Sequence, residues 1–310
     1  MVKRTLYFSN PAYLSLRNGQ LLLRLPEVER GNVPEQFKRE AERTFPIEDL
    51  GLVILDHKQI VVTHGVLESL LENICAVVTC DSTHMPVGLL LPLEGNTIQS
   101  ERFREQISCS KPLQKQLWQQ TVQAKISNQA ACLNRVEPNV EVRCMRVWSA
   151  DVRSGDPDNL EARAAAYYWR NFFPEFPEFV RSRDGEYPNL LLNYGYAILR
   201  AIVARSLVGT GLLPTLGIHH HNRYNAYCLA DDIMEPYRPY VDMLVKQIVR
   251  ERGVVVDLDR ELKGRLLSLP TLDVTIARHT SPLAVAVDTT CKSLQKCFAG
   301  EARQLVYPIF

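Results

Sequence analysis

The apolar period changes once along this chain, and the change falls near residue 95. Before it, short runs rich in Leu, Val, Tyr and Phe occupy Arg4–Ser9, Tyr13–Arg17, Gln20–Leu25 and Leu52–Asp56, broken by Asn-Pro and Asn-Gly. Gln59–Thr63, Ala76–Asp81 and Val87–Pro92 continue the pattern, and runs of this kind bounded by turn residues predict strands. One helix is predicted at Gly65–Asn73, where Val66, Leu67, Leu70 and Leu71 recur at helical spacing. A polar break at 93–100 follows. Beyond it the texture is helical: Arg102–Cys109, then Pro112–Asn128 with Leu113, Leu117, Trp118, Val122 and Ile126 as a buried stripe. Further helices are predicted at Leu160–Phe172, Asn189–Val208, around Val241–Arg250 and at Ser281–Ala299. Strands first and helices after predict an α+β chain, with a small N-terminal β-rich domain (1–95) and a larger all-α-helical domain (101–310). With 310 residues the chain is long enough for two cores.

Composition excludes several classes. A hydrophobic content of 46% beside 23% charged residues is that of an ordinary globular chain. No apolar run approaches the roughly 20 residues that span a bilayer. The opening Met-Val-Lys-Arg-Thr-Leu-Tyr-Phe-Ser lacks a long apolar core and a small-residue cleavage site, so no secretory signal is expected. Eight scattered cysteines form no Cys-x-x-Cys pair, which points to reduced thiols in a cytoplasm rather than to structural zinc. Cys228 reads as a small buried hydrophobe. Residues 1–100 carry 9 Lys+Arg against 12 Asp+Glu, and residues 101–310 carry 27 against 23. That balance excludes a uniformly basic coat but allows a local basic groove.

Chemistry concentrates in one stretch. Gly217-Ile218-His219-His220-His221 stands shortly before Leu229-Ala230-Asp231-Asp232-Ile233-Met234-Glu235-Pro236-Tyr237-Arg238-Pro239. Asp232 and Glu235 are three apart and Asp231 and Glu235 four apart, which reads as one helix face. Carboxylates with a neutral imidazole suit a hard divalent cation such as Mg2+ or Mn2+. The alternative is plain surface chemistry: a solvated acidic face, or Asp232 or Glu235 pairing with Arg238. Adjacent histidines point in different directions, so at most one or two face a single site.

Glu161, opening the Ala-rich helix, is a third candidate. Asp158-x-x-Glu161 also resembles a capping box, with Glu161 reaching back to the helix start. The two roles are compatible, because an acid in a first turn benefits from the helix dipole. A cation held by few protein ligands keeps positions open for phosphate oxygens, which is what phosphoryl chemistry needs.

These residues resemble a known family, the CRISPR-associated integrase (endonuclease) or "Cas-one" family of spacer capture. The resemblance runs essentially end to end. It rests on Thr5-Leu6-Tyr7-Phe8-Ser9, Pro112-Leu113 with Gln116-Leu117-Trp118, Glu161-x-x-Ala-Ala-x-Tyr-Tyr, Asn189-Leu-Leu-Leu-Asn-Tyr-Gly-Tyr-Ala-Ile-Leu-Arg200, and Gly217-x-x-His220 with Leu-Ala-Asp-Asp232-Ile-Met-Glu235-Pro-Tyr-Arg-Pro239. The form looks most like the type II branch.

The resemblance implies a metal-dependent integrase that joins short DNA to a repeat array by transesterification, with an associated endonuclease activity. It implies Glu161, His220 and Glu235 as catalytic metal ligands for Mg2+ or Mn2+, with Asp232 and Arg238 supporting them; His219 and His221 are flanking. It further implies a homodimer formed through the N-terminal domain, a complex with the small "Cas-two" family protein, and double-stranded DNA as substrate in both prespacer and repeat. The RNA-guided effector nuclease of the same locus is a further expected partner. Arg181, Arg183, Arg223, Lys292 and Lys296 are the expected phosphate contacts, a class that supplies affinity more than sequence preference. A plain metal-dependent nuclease and a non-catalytic DNA-binding scaffold are the competing readings.

Overall fold

The computed structural model describes residues 3–26, 42–183, 185–254 and 258–310. It separates into two compact units, Met1–Gly95 and Asn96–Phe310.

The first unit holds two four-stranded sheets. One is formed by β1 (Arg4–Phe8), β5 (Leu50–Leu55), β7 (Ala76–Cys80) and β8 (Pro86–Leu90) in the order β1-β5-β7-β8, parallel except for the last pair. The other runs β4-β3-β2-β6, from β2 (Ala12–Arg17), β3 (Gln20–Arg24), β4 (Arg43–Pro46) and β6 (Ile60–Val62). Helix α1 (His64–Glu72) buries Val66 and Leu70. Alternation along β2 sends Ala12 and Leu14 inward, where they join Leu6, Phe8, Leu21, Leu50, Val53 and Val77 in one apolar cluster. The expected strands and helix are therefore present, and β4 is an addition.

The second unit is built on helices: α2 (Gln99–Ile107), α3 (Lys111–Val136), α4 (Arg143–Asp151), α5 (Leu160–Phe172), α6 (Asn189–Gly209), α7 (Cys228–Met234), α8 (Arg238–Arg252), α9 (Arg260–Leu266) and α10 (Leu283–Phe298). The sequence expectation of an all-α second domain needs correction, because β9 (Asp273–Ile276) and β10 (His279–Pro282) form an antiparallel hairpin there. Its two turn residues, Ala277 and Arg278, both have positive φ (48° and 67°). A two-residue hairpin loop demands that backbone, which Asn-Gly normally supplies, so the usual sequence signal is missing.

Two helices set the interior. α3 starts at Ser110, whose hydroxyl accepts from Leu113 N at 3.4 Å, and packs against α4, α5, α7 and α8. α6 packs against α7, α8 and α10, and Gly195 lets α8 approach, since a Cβ there would stand 2.4 Å from Val241 Cγ1. By length and composition α6 could cross a membrane, although Asn193, Arg200 and Arg205 interrupt its apolar runs as the sequence reading requires. It is mostly buried in the unit it helps to form, and that burial accounts for its apolar character.

Candidate metal centre

Helix α3 supplies a row of contacts at 118, 121, 125 and 128, spaced by three and four residues and therefore on one face. Trp118, fully buried, lies under His219 with ring centroids 4.1 Å apart and planes 3° from parallel. Thr121 meets the Tyr307 hydroxyl at 2.9 Å. Lys125 Nζ stands 2.6 Å from Glu161 Oε1 and 2.6 Å from Glu235 Oε2. Asn128 Nδ2 donates to the carbonyls of Pro236 at 2.8 Å and Pro308 at 3.0 Å, fixing the turn that follows Glu235.

Glu161 reaches this row because another residue caps its helix. Asp156 accepts from Leu160 N at 2.9 Å and from Glu161 N at 3.0 Å, satisfying donors of the first turn. Asp158 is paired with Arg153 at 2.7 Å instead. The capping box expected from Asp158-x-x-Glu161 is thus absent, and the Glu161 carboxylate is turned to Lys125.

The three acids of the later stretch have different partners. Asp231 pairs with Arg200 at 2.6 Å and accepts from Asn225 Nδ2 at 2.7 Å. Asp232 is fully buried and binds the histidine loop: its carboxylate accepts from His219 N at 3.0 Å and His220 N at 3.3 Å, and lies 2.5 Å from His220 Nδ1. Glu235 begins a 3-10 turn (Glu235–Tyr237) directly after α7, and its carboxylate meets Lys125 of α3. Arg238 Nε is 3.0 Å from Glu235 Oε1, and its guanidinium lies 4.5 Å over the Tyr196 ring. Gly217 makes the loop possible, because a Cβ there would be 2.4 Å from the His220 carbonyl and 2.8 Å from Asp232 Oδ2.

The electrostatics tie these groups into one site. The hydrogen bond to Asp232 raises the His220 pKa above its ordinary value against the opposing effect of burial, and Glu235 and Glu161 add to the rise. Burial alone would push the Glu235 carboxyl up, but Arg238 and Lys125 outweigh it and hold it down at about 2. Burial likewise disfavours the Lys125 ammonium, yet Glu235 and Glu161 raise its pKa. Burial and the neighbouring His220 lower His219. Behind the site, burial pushes Asp242 up to about 7 although Tyr196 and Tyr168 both donate to it.

Among the described residues, no three of His, Cys, Asp and Glu stand close enough together to enclose a metal ion. Lys125 occupies the space between Glu161 and Glu235. Lys125 and Arg238 make close ion pairs, at 2.6 Å and 3.0 Å, with a Glu235 carboxylate that is itself buried. Two carboxylates and one imidazole are donors of the kind that fit a hard cation, and one of those carboxylates, Glu235, is buried against a positive charge. The site opens on the His220 side, where the imidazole is 42% exposed and borders a cavity of about 430 Å³ lined also by Lys111, Gln114, His221, Asn222 and Arg223.

Of the expected phosphate contacts, Arg183, Arg223, Lys292 and Lys296 are exposed, with Arg223 bonded to the Tyr224 hydroxyl. Arg181 is engaged by Asn189 at 3.0 Å and Asn193 at 2.8 Å. Sequence reasoning missed Lys125 and Asn128, although both lie seven and ten residues beyond Trp118, on the buried side of a helix already assigned. Cys228 is buried as expected, and all eight cysteines are free.

A family profile described as "CRISPR associated protein Cas1" matches residues 7–271. The CRISPR-associated endonuclease Cas1 of Neisseria meningitidis serogroup C (strain 8013) is 34% identical over 310 residues, covering 99% of this chain and 96% of that protein. Among solved structures, a casposase bound to integration product superposes with a TM-score of 0.77 at 18% identity, covering 98% of this chain and 92% of that one. A chain of a Cas6-RT-Cas1–Cas2 complex superposes with a TM-score of 0.73 at 19% identity, covering 98% of this chain and 36% of that one. At these identities the two superpositions establish a shared fold.

Proposed function

This chain belongs to the Cas1 family of CRISPR-associated proteins, and from that membership we propose an integrase of spacer acquisition whose centre is Glu161, His220 and Glu235. In this reading the protein joins the 3′-hydroxyl of a short DNA duplex to a phosphodiester of the repeat, and nicks DNA when water takes the place of that hydroxyl. The single observation that carries the centre is the convergence of Glu161 and Glu235, 74 residues apart in sequence, on one cation, the Lys125 ammonium.

Glu161, His220 and Glu235 would hold Mg2+ or Mn2+, which when bound polarises the phosphate and offsets charge developing on the attacking and leaving oxygens. The chain's own residues prepare for this. Asp232 engages Nδ1 of His220, leaving Nε2 as the nitrogen free to serve as ligand, the arrangement by which a carboxylate orients a metal-binding histidine. Arg238 fixes one oxygen of Glu235, and Tyr196 under its guanidinium fixes Arg238 in turn. Asn128 anchors the turn carrying Glu235 to α3. The basic and amide groups lining the cavity beside His220 offer donors to a phosphate backbone.

We further assign to this reading a homodimer, a bridging partner of the Cas2 kind, double-stranded DNA as both prespacer and target, a cytoplasmic setting, and membership of the type II branch, with its effector nuclease as a further partner. Structures of the same fold caught with integration product and in a Cas1–Cas2 assembly support the DNA and Cas2 parts. The test is a gel assay with labelled duplex bearing 3′-hydroxyls, supercoiled repeat plasmid, Mn2+ and the Cas2 partner. Covalent joining is expected. Nicking without joining would reduce the protein to a nuclease, and a mobility shift with intact DNA would leave only a scaffold.

A further inference from the structure

Lys125 enters the site from the middle of α3 with a side chain only 11% exposed, and both of its short contacts are to the two acids of the proposed centre. A buried ammonium is costly unless it is paired, and two buried carboxylates facing one another are costly unless a positive charge separates them. Each need answers the other here. The oxygens that Lys125 contacts, Glu161 Oε1 and Glu235 Oε2, are the atoms a divalent cation would draw on. The Glu235 contact is as short as the Glu161 contact, so one ammonium bridges both acids.

We propose that Lys125 is a resident counter-cation: it holds Glu161 and Glu235 together before the metal arrives, and the metal must displace it to bind. This rests on the metal-centre reading above. An ion that takes oxygens from both acids takes what the ammonium now holds, and two cations cannot share that space. The wild-type affinity for the ion is therefore lowered by the cost of evicting Lys125, and the metal-free site is correspondingly kept from splaying apart. Lys125 is a positioning residue in this account, acting through the two acids.

The experiment measures Mn2+ binding to the full-length protein by calorimetry, for wild type, Lys125→Met, Lys125→Arg and Glu161→Gln. Lys125→Met should bind Mn2+ about tenfold more tightly than wild type, while Lys125→Arg, which keeps the charge, stays near it. In EDTA the Lys125→Met protein should melt below wild type, and saturating Mn2+ should close that gap. A lysine that merely braced the fold would give the opposite sign, so unchanged or weaker Mn2+ binding by Lys125→Met overturns the proposal. If wild type and Glu161→Gln bind Mn2+ alike, the metal-centre reading itself falls and takes the proposal with it. Should Lys125→Met not fold, the unmutated protein still decides the matter. The 1H–15N signal of the buried Lys125 ammonium, present in EDTA, should shift or vanish at saturating Mg2+, and an unchanged signal refutes displacement.

Discussion

His220 Nδ1 lies 2.5 Å from Oδ1 of Asp232, a carboxylate with no exposed surface that also holds the backbone of the same loop. This pairing raises the His220 pKa in the metal-free protein. A metal needs the neutral imidazole, so the proton must leave before the ion binds. Mn2+ affinity should therefore fall as pH falls through the raised His220 pKa, measured by calorimetry across a pH series. The linked stability runs the other way: the proton-bound pair stabilises the metal-free fold at low pH, and that gain is lost as pH rises through the raised pKa. Asp232→Asn should move the affinity midpoint to lower pH and weaken binding by about 10–100-fold. An unmoved midpoint would detach Asp232 from His220.

Single replacements Glu161→Ala, His220→Ala and Glu235→Gln should each cut DNA joining by about a hundredfold or more while DNA binding persists in a mobility-shift assay. Glutamine suits position 235 because it keeps the side chain's volume and one acceptor oxygen beside Lys125 and Arg238, where alanine would leave a void as well as the lost charge. Normal joining by any one variant removes that residue from the proposed centre.

His219 has a different task, since its ring stacks on Trp118. His219→Ala should lose about 0.5–1.5 kcal/mol of stability, visible in urea melts, and reduce joining far less than His220→Ala. Equal losses of joining would mean the ligand had been assigned to the wrong ring.

Asn128→Ala leaves the carbonyls of Pro236 and Pro308 without their donor inside the protein. The expected cost is about 1–3 kcal/mol. Mn2+ binding should weaken as well, because Pro236 adjoins Glu235. A destabilised variant with unchanged Mn2+ affinity would confine Asn128 to the fold.

Asp242 supplies a pH signature of its own. Burial raises its folded-state pKa from 3.8 to about 7, so folding favours the protonated acid. Its contribution is fully present below about pH 4 and is lost as pH rises toward 7, an effect on the order of 4 kcal/mol at most. Asp242→Asn cannot ionise. Its melting temperature relative to wild type should accordingly rise from about pH 4 to pH 7 and then level off. A gap independent of pH would show that Asp242 stays in one charge state throughout.

Much of the fold was legible because apolar period survives in sequence. Helix α5 runs Leu160–Phe172 as its Ala-rich pattern predicts, and Leu6, Leu14 and Val77 sit inside as strand alternation requires. What was hidden has a physical reason in each case. Helix α4 buries only Met145 and Ser149, so it carries almost no stripe to read. The β9–β10 hairpin turns on Ala277 and Arg278, residues whose chemistry does not announce a positive φ. Within the site, spacing along the chain could bring Asp232 and Glu235 to notice but could not show that one meets His220 and the other Lys125. Lys125 was hidden because a lysine in a helix is ordinarily solvated, and only the fold reveals two acids waiting for it.

The row Trp118, Thr121, Lys125 and Asn128 makes α3 a measuring rod. Each residue turns a helix by about 100°, so inserting or deleting one residue between 118 and 128 would rotate every later contact off its partner. Stacking partner, counter-charge and anchor would lose register together, whatever residue was added. Substitutions on the outer face of the same helix carry no such penalty. Relatives of this protein should therefore differ freely in the surface composition of α3 while keeping its length between these positions unchanged.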